Sequence, residues 1–190
     1  MAFVKRVVDF KEVMFKDDEL FTGIYYEYHK NGLDKYECSY RDGLKHGTEW
    51  MFDEYGMAIE VRTYKKGEMT TFEEYYPSGA LKQKIELKDE MKNGIEMAFE
   101  ENHNILYYGL NKDDKRYGEW QFYKNGKLEK YVMYKNGEVE GKWVDYNKDG
   151  SIRDQGEVIN GSGEFRTYFE NGKLHSETIY KNGKRKYIEY

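Results

Sequence analysis

GEWQFYKNGKLEKYVMYKNGEVE, residues 118–140, and GEFRTYFENGKLHSETIYKNGKRK, residues 163–186, are two copies of one unit. Each opens on Gly-x-aromatic and carries a second aromatic five residues after the opening Gly. Each then turns at Asn-Gly, runs through a stretch of alternating polarity and turns at Asn-Gly again. Self-similarity at a fixed period of this length marks a repeat architecture. Equivalent starts lie at Gly23, Gly47, Thr70, Gly94, Gly118, Gly141 and Gly163, with spacings of 24, 23, 24, 24, 23 and 22 residues. The position five residues in is aromatic in all seven copies: Tyr28, Phe52, Tyr75, Phe99, Tyr123, Tyr146 and Tyr168.

Turn chemistry identifies each copy as a β-hairpin. Asn-Gly occurs at 31–32, 93–94, 125–126, 136–137, 160–161, 171–172 and 182–183, and Asp-Gly at 42–43 and 149–150. These dipeptides accept the positive φ that two-residue hairpin turns demand. The third and fourth copies depart from the pattern: Thr70 replaces the opening Gly, Phe99–Asn104 lacks a turn Gly, and Glu90 and Asp113-Asp114 replace second-turn glycines. The expected fold is all-β: an elongated, single-layer antiparallel meander of about seven hairpin repeats, twisted or curved. Residues 1–22 form an entry strand, placed at Val7–Phe15, with a half-repeat. Residues 23–190 form seven tandem repeats in one repeat domain.

Strand parity points to a buried face. Counted from the first-turn Gly, positions +2, +6 and +8 share one side of their strand, as in Leu128, Val132 and Tyr134. Cys38 occupies position +6 of its copy and is therefore expected in the core. In the other strand the aromatics two residues after the opening Gly (Tyr25, Phe72, Trp120, Trp143, Phe165) have parity opposite to those five residues after it. Either a bulge realigns them, or the sheet carries rings on both faces. The expected repeat core comprises Tyr28, Phe52, Tyr75, Phe99, Tyr123, Tyr146 and Tyr168 with Trp120 and Trp143.

Composition narrows the function classes. The 190 residues include 20 Tyr, 10 Phe, 3 Trp and 19 Gly, while 35% are charged. Rings that each bury roughly 150–250 Å² argue for a folded chain despite the charge. The net charge of −5 lacks the basic excess of a nucleic-acid binder. A single Cys excludes an intrachain disulfide and a Cys-rich metal site. His29, His46, His103 and His175 fit no ligand spacing, so neither metal nor cofactor is expected. No apolar run reaches the ~20 residues of a membrane helix, and Met1–Phe10 has no signal-peptide pattern. A cytoplasmic location is favoured, unless a leader has been removed.

The combination Gly-x-Trp-x-x-Tyr, Asn-Gly-Lys-Leu and Tyr-x-Asn-Gly-x-x-x-Gly resembles the MORN-repeat variant of bacterial YwqK-type antitoxin-like proteins. The resemblance covers roughly Phe15–Tyr190 and is strongest over Gly118–Lys186. It implies an elongated, curved β-meander used as a scaffold or binding surface, with some members neutralising toxins encoded beside them. It implies no catalytic residue.

Glu73/Glu74, Glu100/Glu101 and Asp113/Asp114 are adjacent pairs, which on a strand point to opposite faces and cannot share a substrate. No Ser/His/Asp order, P-loop or HExxH motif appears, so no enzyme is expected. Residues 47–117 hold 10 basic and 15 acidic groups, which concentrates the whole net charge in a segment that includes the irregular copies. That segment suggests docking of a basic protein, with Trp50, Glu73, Glu74, Glu100, Glu101, Asp113 and Asp114 as contacts. The competing classes are a cell-surface or carbohydrate-binding aromatic repeat and a membrane-associated scaffold. Net acidity opposes the last. The terminal strands leave edge-to-edge dimerisation open.

Overall fold

A computed structural model of the chain describes residues 2–169, 172–182 and 184–190. The first elements are β1 (Phe3–Val8), β2 (Lys11–Lys16), β3 (Glu19–Leu20), β4 (Gly23–Tyr28), β5 (Asp34–Arg41) and β6 (Leu44–Phe52). Next come β7 (Ala58–Lys65), β8 (Glu68–Tyr75), β9 (Leu81–Lys88), β10 (Met91–Phe99), β11 (Ile105–Lys112) and β12 (Lys115–Lys124). The last are β13 (Lys127–Lys135), β14 (Glu138–Tyr146), β15 (Ile152–Val158), β16 (Gly163–Tyr168), β17 (Leu174–Lys181) and β18 (Lys184–Glu189). The fold is all-β. Strands β4 to β15 form a 12-stranded antiparallel sheet in which every strand neighbours its sequence neighbours, and the sheet is not closed. Strands β1–β3 and β16–β18 form separate three-stranded sheets, so the meander is interrupted at both ends.

The turns fall into two classes, tight and longer. The tight turns have both central residues at positive φ, as in Asn125/Gly126 (52° and 73°) and Asn136/Gly137 (53° and 85°). Asp89/Glu90 and Asp113/Asp114 adopt the same conformation without glycine, at 52°/63° and 51°/63°. The irregular copies therefore keep the hairpin at some cost in backbone strain. In the longer turn of the fourth copy, His103 takes the left-handed place at φ 68° and its N–H donates to Glu100 O at 2.9 Å. Asn93-Gly94 is not a turn; it lies inside β10. The Val7–Phe15 entry strand is also not one strand. Asp9 and Phe10, both at positive φ, fold it into the β1–β2 hairpin. Turn residues Asn171 and Gly183 lie outside the described residues.

The parity conflict resolves as a sheet with rings on both faces. A register shift falls directly before Tyr28, Phe52, Tyr75, Tyr123, Tyr146 and Tyr168. These bulges do not carry the rings to the core side. Tyr28 stacks on Tyr26 and Phe52 on Trp50, each two residues back along the strand. Tyr75 donates to Glu73 and Tyr123 to Gln121 in the same sense. A second bulge follows the opening glycines: the register shifts opposite Gly47, Gly118 and Gly141, at φ 94°, 67° and 106°.

The core face is organised by one cross-strand pair per copy. Directly opposite each other stand Tyr25 and Cys38, Phe72 and Ile85, Trp120 and Val132, Trp143 and Gly156, Phe165 and Thr178. Ring-over-small or ring-over-aliphatic pairs of this kind are the unit of sheet stabilisation. Trp120 and Trp143 are 1% and 2% exposed. Each lies against a glycine: a Cβ on Gly109 would meet Trp120 Cδ2 at 2.1 Å, and one on Gly156 would meet Trp143 Cζ2 at 2.7 Å.

The chain divides into two compact units, residues 1–92 with 99–103, and residues 93–98 with 104–190. In the first, the N-terminal sheet closes over the core face of β4 and β5. Phe3 meets Phe21 and Tyr25 edge-on at 5.1 and 5.0 Å, while Met14, Phe21, Cys38 and Tyr40 form one buried cluster. In the second, Phe165 stacks on Trp143 at 4.0 Å, beside Val132, Val139 and Val158.

Candidate interaction face

With the core face of β4–β5 covered, the opposite face of the first unit presents a continuous cross-strand row: Tyr26, Glu37, Trp50, Val61, Glu73 and Lys84, one residue from each of β4 to β9. The bulges before Tyr28 and Phe52 leave those rings on this face, alongside Tyr26 and Trp50. Ring centroids are 6.4 Å apart in the Tyr26–Tyr28 pair, tilted by 13°, and 6.0 Å in the Trp50–Phe52 pair, tilted by 8°. Tyr26 is 41% and Tyr28 61% exposed; Trp50 and Phe52 are half-buried.

The two carboxylates of the row differ in how they are satisfied. Glu73 accepts from Tyr75 Oη at 2.7 Å and pairs with Lys84 at 2.8 Å. Burial pushes its pKa up, but these donors outweigh burial and hold it below the ordinary carboxylate value. Tyr75 rises in turn to about 12, through burial and the Glu73 charge. Glu37, half-buried between Tyr26 and Trp50, has no hydrogen bond or ion pair among the described residues. Its proximity registers on Tyr26, whose phenol is pushed up by desolvation and then by Glu37. The nearest cation along its strand, Lys35, has its Nζ 3.9 Å from Glu27.

On the core face lies a polar cluster of a different kind. Glu49 takes the place that an aromatic holds in five other copies, and Arg62 stands opposite it. Glu49 is 1% exposed. It accepts from Tyr36 Oη at 2.6 Å, Tyr64 Oη at 2.9 Å, Arg62 at 3.4 Å and Lys45. Burial raises its pKa, and Lys45, Tyr36 and Tyr64 together pull it below the usual range. The fourth copy repeats the substitution with buried Glu96, which accepts from Asn111 Nδ2 at 2.6 Å. Asp145, also buried, stands opposite Asp154. Lys130 and Arg153 lie 3.3 and 3.2 Å from it. The Lys130 contact is Coulombic rather than a hydrogen bond, so Asp145 Oδ1 has no donor.

Of the residues expected from sequence to bind a partner, the structure brings Trp50 and Glu73 into one row. Glu74 is on the opposite face, opposite Glu60 and held by Lys82 at 2.6 Å and Gln83 at 2.7 Å. Glu100 and Glu101 belong to the β10–β11 turn. Asp113 and Asp114 build the tight β11–β12 turn, where Asp113 accepts from Asn93 at 3.1 Å. Of the residues expected in the core, Trp120 and Trp143 are buried. Phe52, Tyr75, Phe99, Tyr123 and Tyr146 are half-buried. Tyr28 and Tyr168 are exposed and are not core residues, because they keep the parity of the outward-facing side chains before them. Sequence reasoning missed Glu37, Glu49 and Glu96. The signal for the last two was present: Gly-x-Glu at 47–49 and 94–96 where the other copies read x-aromatic.

Three segments match the MORN repeat variant. They are residues 70–89, 116–136 and 162–182. Each begins near the start of a repeat and runs into its second strand. The matches lie in the third, fifth and seventh copies, so the third is recognised despite its missing opening Gly. No curated protein matches the chain. MORN repeats point to a repeat-built binding or scaffold protein, of a family that is generally non-enzymatic. Among the described residues no group of three His, Cys, Asp or Glu is placed to hold a metal ion. Among the same residues no helix is long and apolar enough to cross a membrane.

Proposed function

We propose that this chain is a non-enzymatic interaction module that docks a basic protein on the outward face of β4–β8. The observation that carries the reading is the row Tyr26–Glu37–Trp50–Val61–Glu73, in which Glu37 stands between the rings of Tyr26 and Trp50 and has no hydrogen bond or ion pair among the described residues. Interfaces favour aromatic anchors, and an uncompensated carboxylate on such a face steers and selects a cationic partner. The MORN-variant repeats support the binding or scaffold class. The finer role, neutralising a basic protein encoded beside it in the manner of an antitoxin or immunity partner, rests on the sequence resemblance.

Capture of partners from the source cell by the intact chain, by Glu37→Lys and by Trp50→Ala tests the reading. Glu19→Lys, on exposed β3, is the control. A basic protein retained by the intact chain and the control but lost from both face variants is the expected result. Equal retention by all four sinks the placement. Retention of glycan instead of protein, abolished by Trp50→Ala, would move the chain to the carbohydrate-binding class.

A further inference from the structure

We infer that β4, β5 and β6 form a recognition trough for an arginine side chain of the partner. The inference deepens the interaction-module reading and rests on it. The walls are the stacked pairs Tyr26/Tyr28 on β4 and Trp50/Phe52 on β6, and the floor is β5 with Glu37 at its centre. Two strand spacings set the walls about 10 Å apart at the backbone. That width takes one flat cationic group lying against a ring.

One end of the trough is tied shut. His29 Nε2 lies 3.0 Å from Phe52 O, and Asn31 Nδ2 donates to Glu54 O at 2.7 Å, joining the end of β4 to the end of β6. The walls therefore do not depend on the ligand for their spacing.

Charge complementarity names the occupant. A carboxylate flanked on both sides by pairs of aromatic rings offers a cation its own charge and, beside it, the ring quadrupoles. A guanidinium exploits both together: its planar fork meets Glu37 while its face lies on Trp50 or Tyr26. An ammonium has neither the plane nor the fork. The trough accordingly reads arginine in preference to lysine. The contrast with Glu73 supports the assignment: that carboxylate, in the same row, already has Lys84 and Tyr75.

Calorimetric titration of the full chain with a short synthetic peptide alternating Arg and Ser tests this, with the Trp50 indole resonance of the wild type and of Glu37→Gln locating the binding. The Arg peptide should bind several-fold tighter than its Lys counterpart, and the Gln counterpart should not bind. Trp50→Ala should weaken binding by about 5–30-fold. The isosteric Glu37→Gln should weaken it roughly tenfold, and because it preserves shape it keeps the test valid if Trp50→Ala misfolds. Equal binding of Lys and Arg peptides, or wild-type affinity in Glu37→Gln, overturns the inference. So does an oligosaccharide that shifts the Trp50 resonance at the same concentrations. If the peptide fails while a protein is still captured through Glu37, the arginine trough falls and the interaction module stands. If the peptide binds with this variant dependence but no protein is captured, the module reading falls instead.

Discussion

Removing the Glu49 carboxylate should be the most damaging single change in the first unit. Glu49→Ala leaves Lys45 and Arg62 without their shared counter-charge, and leaves the Tyr36 and Tyr64 hydroxyls without their acceptor. Breaking a buried ion pair by removing one partner costs about 3–5 kcal/mol. For a chain of this length that corresponds to a fall in Tm of roughly 6–20 °C. Calorimetry at neutral pH reads the loss, and hydrogen exchange should localise it to β5–β7. The folded pKa of Glu49 is depressed, so its contribution is fully present above the unfolded value of 4.5 and is lost as pH falls through the lower folded value. Glu49→Gln should remove that acid-side loss from the stability profile. The double change Glu49→Phe/Arg62→Ile recreates the pair that Phe72 makes with Ile85. It should recover only part of the stability lost in Glu49→Ala, since it removes the stranded Arg62 charge but leaves Lys45 and the Tyr36 and Tyr64 hydroxyls without their acceptor. A Glu49→Ala variant within about 1 kcal/mol of wild type would refute the view that this cluster is buried and mutually satisfied.

Other expected outcomes follow from the same geometry. Gly109→Ala should cost about 1–3 kcal/mol in chemical denaturation, because its Cβ overlaps the Trp120 indole; Trp120→Leu in the same background should relieve the clash. Asp154 has a folded pKa above its ordinary value of 3.8, raised by burial and then by Asp145 opposite. Its ionised form is therefore disfavoured in the fold, with the penalty absent below about pH 3.8 and complete once pH exceeds the folded value. Asp154→Asn should stabilise by about 0.2–1 kcal/mol at neutral pH, the scale of a like-charge cross-strand pair, and the difference should vanish in acid.

The sequence was most legible where backbone conformation dictates residue type. Asn-Gly and Asp-Gly marked the tight turns because few residues accept two successive positive φ values, and the third and fourth copies dispense with the second-turn glycine because Asp89/Glu90 and Asp113/Asp114 take up the same conformation. The buried side of the second strand was legible too: Cys38 and Val132, which alternation placed on it, are buried opposite Tyr25 and Trp120. What escaped was the outcome of the bulges. Parity left the side of Tyr28 and Phe52 open, and only the register decides it. Breakage of the meander into end sheets was equally hidden, because it depends on packing of Phe3 and Phe165 against residues distant in sequence. Glu37 was illegible for a related reason: a carboxylate's lack of a partner is a property of its neighbours on two other strands.

The claim at the centre is that the outward face of β4–β8 binds a basic protein through charge and rings together. The most direct measurement is the association rate of the captured partner with wild type, Glu37→Lys and Glu19→Lys at low and high salt. Loss of a facing charge should slow association and flatten its salt dependence. Glu37→Lys should slow low-salt association about tenfold or more, with Glu19→Lys close to wild type. Identical rates and identical salt slopes for wild type and Glu37→Lys would contradict the claim.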